Sequence, residues 1–282
     1  MMWFLLSIFS ALFDGAKNLY AKKLTKQFDE YLLSFSTSII IVLCLLPIVW
    51  FIGIPTIGEK FIFSLMITGI INAVTLVLIL KALKLTDVSL VVPLFSLSPA
   101  LLLITSPFII GEFPSLFGLI GIFCILSGTY VLNFKRKLSF EPITSIFKNH
   151  GQKLIVIVAI LWAVSSNFYK IGMVNSSPIF FIFSLNVLIS ILLFPFMLRE
   201  TRFTKLKNNW KSIIPLGILS AGTSMFQWTA ASMTLIVYAL SIKRLSILIS
   251  VMGGIYLFKE KKSFQRIIAT IIILLGVYLI TI

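Results

Sequence analysis

Long apolar runs follow one another along the whole chain, and no other feature restricts the fold so strongly. A run of about 20 apolar residues is what an α-helix needs to cross the hydrocarbon core of a bilayer. Ten runs can be marked: Trp3–Tyr20, Tyr31–Ile54, Phe61–Leu80, Val88–Ile110, Leu116–Phe134, Leu154–Val174, Pro178–Leu198, Ile213–Ala231, Leu235–Phe258 and Ile267–Ile282. Inside a bilayer each segment must satisfy its own backbone polar groups, so each run is expected to be helical. Of the 282 residues, 59% are hydrophobic and 12% charged, and the runs leave no room for a separate soluble domain. The expected class is an all-α membrane protein with ten transmembrane helices. Met1–Leu12 lacks the basic n-region of a signal peptide and reads as the start of a permanent first span.

The chain also repeats itself. At an offset of 148 residues Gly69 meets Gly217, Ala73 meets Ala221, Thr75 meets Thr223 and Thr86 meets Thr234. Leu97-Ser98 meets Leu245-Ser246, Glu112 meets Glu260, and Gly128-x-Tyr130 meets Gly276-x-Tyr278. Pro47 meets Pro195, and one residue further along Asn18-x-Tyr20 meets Asn167-x-Tyr169. Chance matches between two greasy sequences would favour Leu and Ile, whereas these include Gly, Pro, Asn, Tyr and Glu. The expected organisation is a first five-helix repeat over 1–134, a basic linker over 135–153 and a second five-helix repeat over 154–282.

An odd number of spans per repeat places the two copies upside down relative to each other. The basic residues agree. Lys22, Lys23, Lys26 and Lys84 in the first copy, the Lys135–Lys153 linker, and Arg199, Arg202, Lys205, Lys207, Lys211, Lys259, Lys261, Lys262 and Arg266 in the second fall on one membrane face. By the positive-inside rule that face is cytoplasmic and both termini lie outside. The net charge of +15 therefore reads as topology signal and anionic-lipid anchor, with no nucleic-acid partner implied. Within the linker, Ser139 and Glu141-Pro142 open an Ile/Phe pattern suited to a short interfacial helix. Cys44 and Cys124 both lie in apolar runs and make no metal or disulfide pattern.

Ten spans in two inverted repeats, each with a Glu between its fourth and fifth span, resemble the drug/metabolite transporter superfamily, EamA-type. The stretch DVSLVVPLFSLSPALLLITSPFIIGE (Asp87–Glu112) looks like that family's fourth span, and SGTYVL and LGVYLI look like its repeat-ending Gly motif. SIKRLSILIS (Ser241–Ser250) is similar to the ninth span of triose-phosphate and sugar-phosphate translocators. There a Lys-Arg dipeptide contacts substrate phosphate, which implies the same role for Lys243 and Arg244. The chain departs from the resemblance at its start. Many members have a basic N-terminus and both termini inside, whereas Met1-Met2-Trp3 carries no side-chain charge.

Lys243 and Arg244 also stand out on physical grounds. They sit about a third of the way into an apolar run, and one charge at a span centre costs roughly 2.5–3.5 kcal/mol on the insertion scale. Either they face a protein cavity and attract an anion, or they snorkel to the headgroups. Asp14 and Lys17 lie three apart on one helix face and neutralise each other. They are either a proton- or substrate-linked pair beside the cavity or a structural ion pair. Lys81, beside Lys84, reads as an interface anchor.

Asn72, Asn186, Gln227, Trp228 and Tyr238 lie within spans and need hydrogen-bond partners there, as inter-helix contacts or as ligand contacts. Gln227-Trp228 suits a ligand best, since an indole can stack on it and an amide can orient it. Pro93, Pro99 and Pro107, amid Ser and Thr, give the fourth span the bending freedom of a gating helix or of a static kinked one. Glu112 and Glu260 read as capping residues.

No HExxH, Gly-rich phosphate loop, Cys cluster or nucleophile–base spacing is present, so neither an enzyme nor a cofactor is expected. The expectation is a secondary transporter of the cytoplasmic membrane, acting without ATP on a small anionic organic metabolite. The proposed contacts are Lys243, Arg244, Tyr238, Gln227, Trp228, Asn72, Asp14 and Lys17, with gating by Pro93 and Pro99. Its partners are the metabolite and the bilayer, and it works as a monomer or homodimer. An exporter of amino acids or amines and a lipid-head-group translocase are the alternatives.

Overall fold

Short polar side chains start several of the helices. Asp29 accepts from the Tyr31 and Leu32 N–H groups to open the helix that follows it, Asn149 does so from Gly151 and Gln152, and Ser177 from Phe180. Each satisfies donors that a helix start leaves bare. The computed structural model describes residues 1–86, 88–132, 149–250, 268, 271–272, 275–276 and 278–279. Described in chain order are α1 (Met2–Leu24), α2 (Glu30–Ile52), α3 (Lys60–Leu85), α4 (Val88–Val91), a 3-10 segment (Val92–Ser96), α5 (Leu97–Ile109), α6 (Leu116–Leu132), α7 (His150–Val174), α8 (Pro178–Met197), α9 (Glu200–Met233) and α10 (Ile236–Lys243).

The expected spans are recovered unevenly. By length and composition, α2, α3, α7 and α8 can each cross a membrane, and these are the four that do so among the described residues. The described residues therefore do not by themselves make up the count of ten. The first run became a longer helix bearing Asp14, Lys17, Lys22 and Lys23. The eighth run is the second part of α9, whose polar opening segment breaks from it at Asn209 (φ −126°, ψ 17°). The interfacial helix and most of the tenth run lie outside the described residues. The sixth run is extended at its start, because the Asn149 cap begins α7 at His150 rather than at Leu154.

The fourth run is not one helix. It breaks into α4, the 3-10 segment and α5, with Pro93 in the first turn of the 3-10 segment. Proline has no N–H to donate, so the tighter winding is placed where that loss matters least. Pro99 lies in the first turn of α5 and Pro107 inside it. The ninth run breaks as well: α10 stops at Lys243, a turn falls at Arg244, and helix resumes over 245–250. Ser96 and Arg244 are 148 residues apart, so both repeats interrupt the same helix at the same place.

The packing is reciprocal between the halves. α3 packs on α7 and α1 on α9, which are equivalent pairs under the repeat, and α2 packs on its own counterpart α8. A pair of hydrogen bonds repeats too. Lys22 Nζ donates to the Thr86 carbonyl at 2.7 Å, and Lys170 Nζ to the Thr234 carbonyl at 2.7 Å.

Helix direction follows from contacts at the two ends of α3. Its C-terminal end meets the end of α1 through Lys22 and the start of α7, where Thr86 Oγ1 donates to Asn149 Oδ1 at 2.8 Å. Just before its start, the Gly58 N–H donates to the Asn175 carbonyl at the end of α7. α1 and α7 therefore run in opposite directions.

Many polar side chains are buried, and many large apolar ones face outward. Ser7, Ser10, Asp14, Asn18, Thr37, Thr75 and Thr223 are buried, while Trp50, Phe63, Phe108, Phe123 and Phe194 are exposed. A helix bundle in lipid needs this pattern, since the tails accept apolar side chains and solvate no polar ones.

Glu112 has the capping role expected of it, but on a distant helix. Its Oε2 accepts from the Ile236 N–H at the start of α10, and its Oε1 pairs with Lys170.

Candidate functional site

A cavity of about 170 Å³ lies between the two halves, lined from α1, α2, α3, α5, α7, α8, α9 and α10. Drug-sized ligands occupy pockets of roughly 300–1,000 Å³, so this volume suits a smaller molecule. Its charged wall comes from α1 and α10. Gly15 lets α1 approach the helix that resumes after α10, since a Cβ there would lie 2.7 Å from Ile249 Cβ and 3.3 Å from the Ser246 carbonyl.

Asp14 is the centre of that wall. Lys17 Nζ donates to its Oδ1 at 2.5 Å, and Lys243 Nζ stands 3.7 Å from the same atom. Its Oδ2 accepts from Ser246 Oγ at 2.9 Å and from Asn18 Nδ2 at 3.3 Å. Sequence spacing pointed to the Lys17 partner; Lys243 and Ser246 come to Asp14 only through the fold.

The Lys-Arg pair is divided between two surroundings. Adjacent helical residues point about 100° apart, and here Lys243 turns to Asp14 while Arg244 turns to α5. Arg244 Nη2 donates to Ser98 Oγ at 2.5 Å. The residue is 2% exposed, and its Nε has no hydrogen-bond partner among the described residues. Both cations line the cavity.

Aromatic rings form another part of the wall. Tyr169 and Trp228 stack with centroids 3.7 Å apart and planes 6° apart. Tyr169 precedes Lys170, so the stack lies toward the end of the bundle held by the Lys170–Glu112 pair. Phe95 and Trp162 stack at 5.3 Å. Asn72, also lining the cavity, donates to Ser165 Oγ and to the Thr68 carbonyl, both at 2.8 Å, and so joins α3 to α7.

Of the residues expected to contact substrate, the structure brings Asp14, Lys17, Asn72, Trp228, Lys243 and Arg244 to the cavity. It places Gln227 and Tyr238 off it. Gln227 is buried against α1, where its Oε1 accepts from Ser10 Oγ at 3.2 Å. Tyr238 Oη accepts from the Ser115 N–H at 2.9 Å, beside Gly118 of α6. Trp228 lines the cavity, while Gln227, turned about 100° from it on the helix, faces α1. Pro99 is buried in the first turn of α5 next to Ser98, and Pro93 lies in the first turn of the 3-10 segment before it.

Sequence reasoning passed over Asn18, Tyr169, Ser98 and Ser246 as site residues, although all four stand among its repeat matches. Trp162 left no comparable signal.

The family model described as EamA-like transporter family matches the chain twice, over residues 1–134 and 149–282. No curated protein matches the sequence significantly. A solved structure titled only "Crystal structure of protein" is similar in fold, with a TM-score of 0.72 over 99% of this chain and 96% of that one. At 17% identity, the likeness speaks to the fold alone.

Proposed function

The chain belongs to the EamA-like transporter family, and from that premise we propose that it carries a small organic oxyanion, a carboxylate or phosphate, across the cell membrane without ATP. Membership makes it a membrane protein of a small-molecule transporter family. The oxyanion is supported above all by one observation: Arg244 is buried on the cavity wall with an unpartnered Nε and no carboxylate against it among the described residues. A guanidinium presents planar paired donors that match an oxyanion. An amine substrate would need a free carboxylate, yet Asp14 already accepts from Lys17, Asn18 and Ser246.

Alternating access between two inverted five-span repeats, ten spans in all, completes the reading. It is supported by the opposite directions of α1 and α7, by the reciprocal packing and by a cavity between the halves. The breaks at the 3-10 segment and at Arg244 lie beside this cavity and supply the bending points. The Tyr169–Trp228 stack with the Lys170–Glu112 pair closes one end.

Purified protein in liposomes, offered radiolabelled phosphate esters, carboxylates, amino acids and amines, tests the proposal. Saturable uptake restricted to oxyanions is the expected result, and uptake restricted to amines overturns it.

Topology gives a separate expectation. The loop charges put the linker inside and both termini outside. A cysteine introduced near Ile57 should react with an impermeant reagent in intact cells, and one near Lys148 should not. Labelling at Lys148 alone would reverse the orientation.

A further inference from the structure

We propose that Asp14 is a tethered competitor of the transported anion: its carboxylate occupies the cation cluster of the empty site and yields Lys243 when an oxyanion enters. The inference rests on reading the cavity as an oxyanion site, and it assigns unequal roles to charges that the sequence presents as two pairs.

The two lysines hold Asp14 differently. Lys17 Nζ is 2.5 Å from Oδ1, a charge-assisted hydrogen bond, whereas Lys243 Nζ is 3.7 Å from that oxygen, beyond hydrogen-bond range. Lys243 is thus held to Asp14 more loosely than Lys17 is, and no shorter contact occupies its donors among the described residues. Ser246 and Asn18 hold the second carboxylate oxygen, so Asp14 stays in place when Lys243 turns away. The adjacent Arg244 Nε is buried without a partner among the described residues. An oxyanion between Arg244 and Lys243 would fill that vacancy and exchange one contact of Asp14 for its own.

Charge explains why such a device is useful. Among the described residues, three cations, Lys17, Lys243 and Arg244, line a cavity in which Asp14 is the one carboxylate. Gathering these cations inside the bundle is costly, and Asp14 offsets part of that cost. The same carboxylate repels an arriving anion. A weakly interacting ion such as chloride cannot displace it from Lys243, whereas an oxyanion gripping Arg244 bidentately can. Asp14 therefore sets a threshold that favours oxyanions, and its removal should tighten anion binding where loss of a ligand contact would weaken it.

Binding of inorganic phosphate and of acetate to the detergent-purified full chain, followed by tryptophan fluorescence at constant ionic strength, tests this. The comparison uses the unaltered protein, Asp14→Asn, the better charge-balanced Asp14→Asn, Lys17→Met, and Asp14→Asn, Lys243→Met. Asp14→Asn should lower the apparent Kd for phosphate at least about tenfold, a modest share of a unit-charge repulsion at such distances. Asp14→Asn, Lys17→Met should show tightening too, and it is read by the same criterion if the single variant is not monodisperse. Adding Lys243→Met should cancel the gain.

An unchanged or weaker Kd in a monodisperse Asp14 variant, with phosphate bound by the unaltered protein, overturns the role of Asp14 alone. No binding of either probe by any of the four proteins overturns the oxyanion site as well. Binding that appears only once Asp14 is neutralised supports both.

Discussion

Arg244→Met is expected to lower oxyanion uptake in liposomes by on the order of a hundredfold or more while leaving the yield of folded protein unchanged or improved. Truncating one member of a buried, hydrogen-bonded charge contact costs ~2–5 kcal/mol, and each 1.4 kcal/mol is a factor of about ten. Binding should bear this loss because, among the described residues, no carboxylate stands within ion-pair distance of Arg244. Its hydrogen-bond partner Ser98 keeps another bond, from Oγ to the Phe95 carbonyl at 3.0 Å. Removing the cation also takes a charge out of the membrane interior. Arg244→Lys keeps the charge and loses the fork, so its uptake should fall between the two, about tenfold below the unaltered protein. Yield and monodispersity measured beside uptake separate the outcomes. Normal uptake by well-folded Arg244→Met would remove the residue from the site. A collapse in yield would make it a structural ion.

The largest stability effect is expected from Asp14→Asn in oxyanion-free buffer. Breaking a buried ion pair by removing one partner costs ~3–5 kcal/mol, because the other charge is left without compensation. Here two ammonium groups lose their carboxylate at once, Lys17 at 2.5 Å and Lys243 at 3.7 Å. The apparent melting temperature in detergent should fall by several degrees, and added phosphate should restore more of it than in the unaltered protein, since a bound ligand stabilises by mass action. Asp14→Asn, Lys17→Met should recover the melting temperature only in part, because Lys243 remains stranded. Full recovery in that double variant would show that Asp14 and Lys17 form a closed pair, as their spacing alone suggests. The triple variant with Lys243→Met should recover the remainder.

Much of the site was legible before the fold was known. Lys243 and Arg244 are conspicuous because hydrocarbon penalises charge, so a spanning segment keeps a cation only where protein surrounds it. Asp14 and Lys17 share a helix face by arithmetic alone. Gln227 and Tyr238 show the limit of that reasoning. A polar residue in a span must find a partner, but its sequence does not say whether the partner is a ligand or another helix. Ser10 answers for Gln227, and the Ser115 amide for Tyr238. Tyr169 shows the converse, for it matches Tyr20 in the repeat. Tyr20 donates to the Ser212 carbonyl, whereas Tyr169 stacks on Trp228 at the cavity. Equivalent positions in a repeat share a backbone place without sharing neighbours.

Sequence by itself determined the helical class, the division into two like halves and the expectation of their opposed directions. Each follows from a local rule: apolar run length against bilayer thickness, residue identity at a constant offset, and an odd number of crossings. Tertiary structure decided what those rules leave open. It divided the Lys-Arg pair between Asp14 and Ser98, because a turn of helix sends adjacent side chains to different neighbours. It brought Ser246 to Asp14 across the gap that Gly15 leaves narrow. It also placed the break of the ninth run at Arg244, opposite the 3-10 segment of the fourth. Charge compensation depends on distance in space, and residues 232 apart in the chain, Asp14 and Ser246, meet only when the helices pack.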